Sequence, residues 1–372
     1  MKLLGSFLSN FLIFSLYASV NLFPEDGTQT IKKWYYSPNI LSDFYTDSEW
    51  TAVLSSFKKY GITPINAQMG DYFQDLALFT RNGELVLQHF PVYNSELTPR
   101  YEMYFKGFTQ EIFTPPDWGT NYEVNLLTLE NTANLKLIKK QLTHAFIEGG
   151  ASISGRFPNG DDYLIVNHST FLGMKYYYED LFKGEIGEDE LIQKIENEFN
   201  LKPGNFIYLV GSSHTHLDTY MKALPNGLIL IDAPEQKLAM LTQLRKYTGN
   251  KGIDSYILYE NQYRVTNYKY VVKKSKEQLK KRFKVVEVPG VFSRIYTNEN
   301  GHTGPLEDIN FFNGVSGSYQ GRQFYITNKA ILVPELERFW KMQLRNYGFI
   351  DVEFPGVYKV NAGLDCIGAP SP

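Results

Sequence analysis

The chain has one cysteine in 372 residues, Cys366, six positions from its end. A lone thiol closes no intramolecular disulfide, so it is either a small buried hydrophobe or a working nucleophile. Gly363 and Gly368 flank it and favour a special turn over a packed strand interior. Upstream stand His216-Leu217-Asp218, Glu148-Gly149-Gly150 and Gln74-Asp75, each beside a turn or a strand end. A thiol, an imidazole and three carboxylates suit attack on a cationic carbon. The thiolate attacks, the imidazole moves protons and the carboxylates hold positive charge. In extended chain His216 and Asp218 would point to one face. Glu148, just ahead of paired glycines, would sit at a strand end and could brace a histidine, while the glycines let backbone approach another group closely. Taken singly, each piece also fits a surface ion pair, a plain turn or a cap.

A recurring unit would position these groups. Leu76–Thr80, Asn82-Gly83 and Glu84–Leu87 read as a hairpin, because Asn-Gly accepts positive φ at both turn positions. Ala151–Ser154 with Asp162–Val166 repeats the pattern across Asn159-Gly160, and Thr219–Ala223 with Leu228–Ile231 repeats it across Asn226-Gly227. A fourth hairpin is expected from Phe324–Thr327 and Ala330–Val333 across Asn328-Lys329. Helices follow, opening on Pro234 and Pro334. Short strands Lys284–Val288 and Ile350–Glu353 come after them. The unit is strand–turn–strand–helix–strand, and its repetition implies modules that bury their cores against one another. The stretches 105–131 and 297–320 are turn-rich and aromatic and read as long loops.

The four chemical segments, in this order, resemble the guanidine-modifying or pentein superfamily: arginine, peptidylarginine and agmatine deiminases and amidinotransferases. Phe73-Gln74-Asp75 is similar to its first guanidinium-binding segment, and Glu148-Gly149-Gly150 to its Glu-Gly-Gly segment. His216-Leu217-Asp218-Thr219 resembles the catalytic His-x-Asp segment. Asn361-Ala362-Gly363-Leu364-Asp365-Cys366 looks like the small-residue run that ends in the nucleophile. Ala151, Asp365 and Leu76 depart from the residues usual at those positions. The resemblance implies an α/β fold, a five-bladed propeller of ββαβ-type units. It also implies a hydrolase of a guanidino substrate, with Cys366, His216 and Glu148 catalytic and Asp75 and Asp218 gripping the cation. Water resolving the covalent adduct would make a deiminase; an amine would make an amidinotransferase. A non-catalytic binding protein of this fold is the remaining reading of the same resemblance.

Bulk composition is that of an ordinary globular chain, with 43% hydrophobic and 21% charged residues. A net charge of −3 and the lack of a long basic run give no argument for a nucleic-acid partner. Residues 1–20 read as a secretory signal peptide: one lysine, a short apolar stretch and a small-residue exit. The expectation is therefore a leader, then one catalytic domain over 21–372, secreted or periplasmic, with no stable membrane span after cleavage. The partner is a small-molecule or peptidyl guanidine; no cofactor and no metal are implied. His214-Thr215-His216-Leu217-Asp218 has a metal-hydrolase spacing, but the further histidines a zinc site needs are scarce downstream. Ser212 and Ser213 lack a nucleophile elbow. Trp118, Asn313 and Arg322 lie in turn-rich segments and read as loop packing and surface polarity, with substrate contact as the alternative.

Overall fold

The computed structural model describes residues 19–37, 46–67, 77–88, 138, 140–143, 145, 147, 149–210, 216–262, 266–297, 301, 303–356, 364–365 and 368–372. The chain begins with strand β1 (Lys33–Tyr36), helix α1 (Asp47–Lys59) and β2 (Thr63–Asn66). Thr46 and Glu49 cap α1 reciprocally: the Thr46 amide donates to Glu49 Oε2 at 2.9 Å, and the Glu49 amide to Thr46 Oγ1 at 3.4 Å. Next come β3 (Ala77–Phe79), β4 (Leu85–Gln88) and β5 (Lys140–Thr143), then β6 (Ser152–Arg156) and β7 (Asp162–Asn167). Helices α2 (His168–Phe182) and α3 (Glu188–Glu198) lead to β8 (Phe206–Leu209). The hairpin β9 (Met221–Leu224) and β10 (Leu228–Ile231) is followed by α4 (Pro234–Thr248), α5 (Asp254–Gln262), α6 (Thr266–Leu279) and β11 (Lys284–Glu287). The chain continues through β12 (Val291–Thr297), β13 (Thr303–Asn310), β14 (Val315–Tyr319), β15 (Arg322–Asn328), α7 (Pro334–Arg345), β16 (Phe349–Gly356) and β17 (Gly368–Ser371).

Among the described residues these strands make five three-stranded sheets of one pattern, plus the antiparallel pair β12–β13. In each sheet a central strand has one antiparallel and one parallel neighbour: β3-β4-β5, β6-β7-β8, β9-β10-β11, β14-β15-β16 and β17-β1-β2. Helices connect the parallel strands in four of them (α1; α2 and α3; α4 to α6; α7), as a parallel crossover requires. The central strands are apolar where both faces are covered. Every residue of β10, Leu228–Ile231, is buried. The core lies between helices and sheets: Trp34 of β1 stacks on Phe57 of α1 at 4.2 Å, and Trp340 of α7 on Phe311 at 5.4 Å. The chain is already packed by Val20, whose side chain is buried and whose amide donates to the Glu198 carbonyl at 2.7 Å. Among the described residues no helix is long and apolar enough to cross a membrane.

Three hairpins form where the sequence places them, and Asn226 and Gly227 both take positive φ, 64° and 66°. The fourth differs. Phe324–Thr327 is in β15, but its antiparallel partner is β14, upstream, across Gln320 (φ 50°) and Gly321 (φ 75°). Ala330–Val333 is not a strand; it carries the chain into α7, burying Ala330 and Val333 while Ile331 and Leu332 face solvent. Residues 297–320 are not a long loop either, since they hold β13 and β14. The stretch 105–131 lies outside the described residues, as do residues 1–18 of the expected leader.

Candidate active site

His216 sits at the entrance to β9. It does not share a strand face with Asp218, as an extended chain would have it. The backbone turns there into a short 3₁₀ helix, Leu217–Thr219, with His216 ahead of it (φ −52°, ψ 132°). The turn is tied down from two sides. Thr219 Oγ1 donates to the His216 carbonyl at 2.5 Å, and the Leu217 amide donates to the Gly150 carbonyl at 2.6 Å. The second bond brings Gly150 against the His-x-Asp turn. A Cβ on Gly150 would lie 2.3 Å from His216 Nδ1 and 2.8 Å from Cγ. The imidazole therefore lies directly on the Gly150 backbone, which only glycine allows.

Asp218 is 2% exposed, and its Oδ2 accepts a hydrogen bond from Asn313 Nδ2 at 3.0 Å. The other end of that amide, Oδ1, accepts the backbone N–H of Asp365 at 3.0 Å. Asp365 in turn meets Lys222, four residues beyond Asp218 on β9, with Nζ 2.5 Å from Oδ2. Both partners are buried. An unbroken chain of bonded groups thus runs from Gly150 through the His216–Asp218 turn and Asn313 to the residue before Cys366. Burial works against the charge on Lys222, but Asp365 first, then Glu25 and Asp218, outweigh it and hold the ammonium above the ordinary lysine range. The Tyr325 hydroxyl is pushed well up by burial and by the Asp365 and Asp218 carboxylates.

Cys366, Glu148 and Asp75 lie outside the described residues; their chain neighbours are placed. Residues from β3, two positions past Asp75, from β6, close behind Gly150, and from β17, two positions past Cys366, line one cavity. Its walls include Phe79, Ser152, Ser154, Ala369 and Glu25, and its volume is about 10 Å³, room for one water. His214, Ser212, Ser213 and Trp118 also lie outside the described residues. Arg322 stands at the surface on β15, where it pairs with Asp351 at 3.2 Å. Asn313 is fully buried and bonded to the site, which neither loop packing nor surface polarity anticipates. Sequence reading also passed over Lys222. A lysine inside a strand whose other residues are apolar, Met221–Leu224, was the available signal, since a buried ammonium needs a carboxylate partner.

No protein-family model matches the chain, and no curated protein sequence matches it. Solved structures do. A Cys-to-Ser variant of C. jejuni agmatine deiminase with substrate bound is similar with a TM-score of 0.53 and 15% identity, over 95% of this chain and 96% of that one. The agmatine deiminase of Enterococcus faecalis is similar with a TM-score of 0.54 and 12% identity, over 95% and 98% of the two chains. At such identities the likeness is one of fold: over nearly its whole length the chain is folded as these deiminases are. The resemblance read from four short segments therefore holds at the level of the fold.

Proposed function

We propose that this protein is a cysteine-dependent guanidine deiminase that releases ammonia through a covalent intermediate. The observation that carries the reading is the convergence of segments far apart in sequence, the Gly150 carbonyl on the Leu217 amide and the Asn313 amide between Asp218 and Asp365. The same segments match the superfamily's pattern. On this reading the five three-stranded sheets are blades of a propeller around the site. Two further residues, Asp75 and Glu148, which precede β3 and β6 in the chain, complete the site on this reading.

Guanidinium is a delocalised cation that water attacks very slowly. Asp218 and Asp75 each accept a pair of N–H bonds from its planar fork. One buried ammonium, Lys222, faces the buried carboxylates of Asp365 and Asp218 and the half-buried Glu25, and on this reading a bound cation balances the excess of carboxylates. A free cysteine thiol, with a pKa of about 8.5, is mostly protonated at neutral pH, so Cys366 needs help to act as a thiolate. The bound cation and a protonated His216 favour its thiolate. Sulfur attacks the central carbon, His216 gives its proton to the departing amine, and ammonia leaves an amidino-thioether. Water then attacks that carbon and yields one proton to His216; the carbon–sulfur bond breaks to give free thiolate, and the remaining hydroxyl proton passes to solvent as the ureido carbonyl forms. Glu148 orients His216 and supports its charge.

Residues 1–20 act, on this reading, as an export leader; N-terminal sequencing of exported protein, expected to begin at residue 21, checks it. For the chemistry, a panel of agmatine, free arginine, peptidyl arginine and methylated arginines is assayed for ammonia and ureido product. At least one should turn over, and Cys366→Ala should abolish that turnover while leaving the melting curve intact. A halo-amidine should add once to the intact protein, at Cys366, by mass spectrometry. Turnover that survives Cys366→Ala would end the reading.

A further inference from the structure

We propose that Asn313 is a positioning residue: its amide fixes the Asp218 carboxylate relative to the main chain that carries Cys366. It thereby aligns the group that grips the substrate with the group that attacks it. The proposal rests on the deiminase reading above, since that reading gives Asp218 and Cys366 their roles.

The amide can have only one orientation. Its partner on one side is a carboxylate oxygen, which accepts, and on the other a backbone N–H, which donates, so Nδ2 must face Asp218 and Oδ1 must face Asp365. Aspartate lacks the donor, leucine lacks both groups, and glutamine adds a methylene that a fully buried position must accommodate. The loop that presents Asn313 is held from several directions. Asn310 Oδ1 accepts the amides of Phe312 and Asn313 at 3.0 and 3.4 Å. The Tyr325 hydroxyl donates to the Phe311 and Phe312 carbonyls at 2.9 Å each, and Thr327 Oγ1 to the Phe311 carbonyl at 3.0 Å. Asn328 Nδ2 donates to the Asn310 carbonyl at 2.7 Å. These donors come from β15, so a rigid sheet sets the loop. From the other side, the Lys222–Asp365 pair anchors the peptide whose N–H Asn313 receives. A surface or purely space-filling asparagine needs none of this. Lost alignment at a reacting centre of about 1 Å costs on the order of a hundredfold in rate.

The test compares full-length wild type with Asn313→Asp and Asn313→Ala, using the best substrate of the guanidine panel. Asn313→Asp keeps the acceptor for Asp365 but sets a carboxylate against Asp218. We expect kcat/KM to fall about tenfold to a hundredfold near pH 8 and to recover partly as pH is lowered, because only a protonated carboxyl at position 313 can donate to Asp218. Asn313→Ala should raise KM and lower kcat together. An Asn313→Asp profile that parallels wild type at all pH values overturns the proposal, as does Asn313→Ala within twofold of wild type in both constants. If the alanine variant gives no cooperative melt, the near-isosteric Asn313→Asp decides alone. If wild type turns over no guanidine, the function reading fails separately. The proposal is then read from iodoacetamide alkylation of the lone thiol: the added charge in Asn313→Asp should move the pH midpoint upward, and an unmoved midpoint refutes it.

Discussion

Two residues of the site owe their identity to what touches them. Gly150 lies under the His216 ring, and a methyl group there would meet Nδ1 at 2.3 Å. Gly150→Ala must push the imidazole aside or bend the turn. Overpacking of this kind costs about 1–3 kcal/mol, and the displaced ring should cost on the order of a hundredfold in kcat. Circular dichroism melts and steady-state kinetics on the variant would show both; an unchanged kcat would mean that His216 does not move protons. Lys222 is the second. Lys222→Met leaves Asp365 buried without its ammonium, and breaking a buried pair from one side costs about 3–5 kcal/mol. Burial already raises the Asp365 carboxyl and only Lys222 opposes it. Without Lys222 its folded pKa stands above the unfolded value, so the folded state binds the extra proton. The stability deficit of Lys222→Met should therefore shrink as pH falls through that raised pKa, and Lys222→Met with Asp365→Asn should recover part of it at neutral pH. Denaturant titrations from pH 8 to pH 4 measure both.

At the level of elements, α2 carries a pH dependence in its first residue. His168 stacks on Tyr208 at 5.9 Å, and burial lowers its pKa against the weaker pull of Glu188. Its place at a helix N-terminus disfavours the charged form for a second reason, the positive end of the helix dipole. The unfolded chain then binds more protons than the folded one below the ordinary histidine range. Stability should fall as pH drops from about 6.5 toward the depressed value, and His168→Gln should flatten that limb of a plot of melting temperature against pH. A limb identical in the variant would assign it to other groups. The hairpins show which elements were legible. Where Asn-Gly marks the turn, as at Asn226-Gly227, both residues take positive φ and the pairing was readable. Gln320-Gly321 makes the same demand on its backbone, φ 50° and 75°, but glutamine gives no such signal. Asn328-Lys329 looked better as a turn and drew β15 to the wrong partner. Residues 297–320 were misread as a loop because β14, Val-Ser-Gly-Ser-Tyr, has few of the branched and aromatic residues that announce a strand.

For the whole molecule, sequence patterns mark candidate residues but not what joins them. His216-x-Asp218 and the paired glycines are local patterns. The bonds of Asn313 reach 95 residues back to Asp218 and 52 forward to Asp365, and no local spacing encodes such a bridge. Only the topology supplies it, by returning the C-terminal segment to the first sheet. There β17 lies antiparallel to β1, Gly368 opposite Tyr36 and Ser371 opposite Lys33, so that both ends of the described chain share one sheet with β2. Gly368 makes the approach possible: a Cβ there would lie 2.5 Å from Trp34 Cε2. Removing Gly368–Pro372 therefore tests how far the site depends on that return. The four-pair ladder contributes a few kcal/mol at about 1 kcal/mol net per hydrogen bond, and its loss uncovers the fully buried Trp34. The truncated protein should melt at a lower temperature with red-shifted tryptophan emission. Its lone thiol should lose selective reaction with a halo-amidine yet still alkylate with iodoacetamide, because Asp365 would no longer be held between β17 and the Asn313 amide. Selective labelling at the wild-type rate in the truncated chain would mean that Asn313 and Lys222 alone hold the segment before Cys366, and that β17 serves the fold without serving the site.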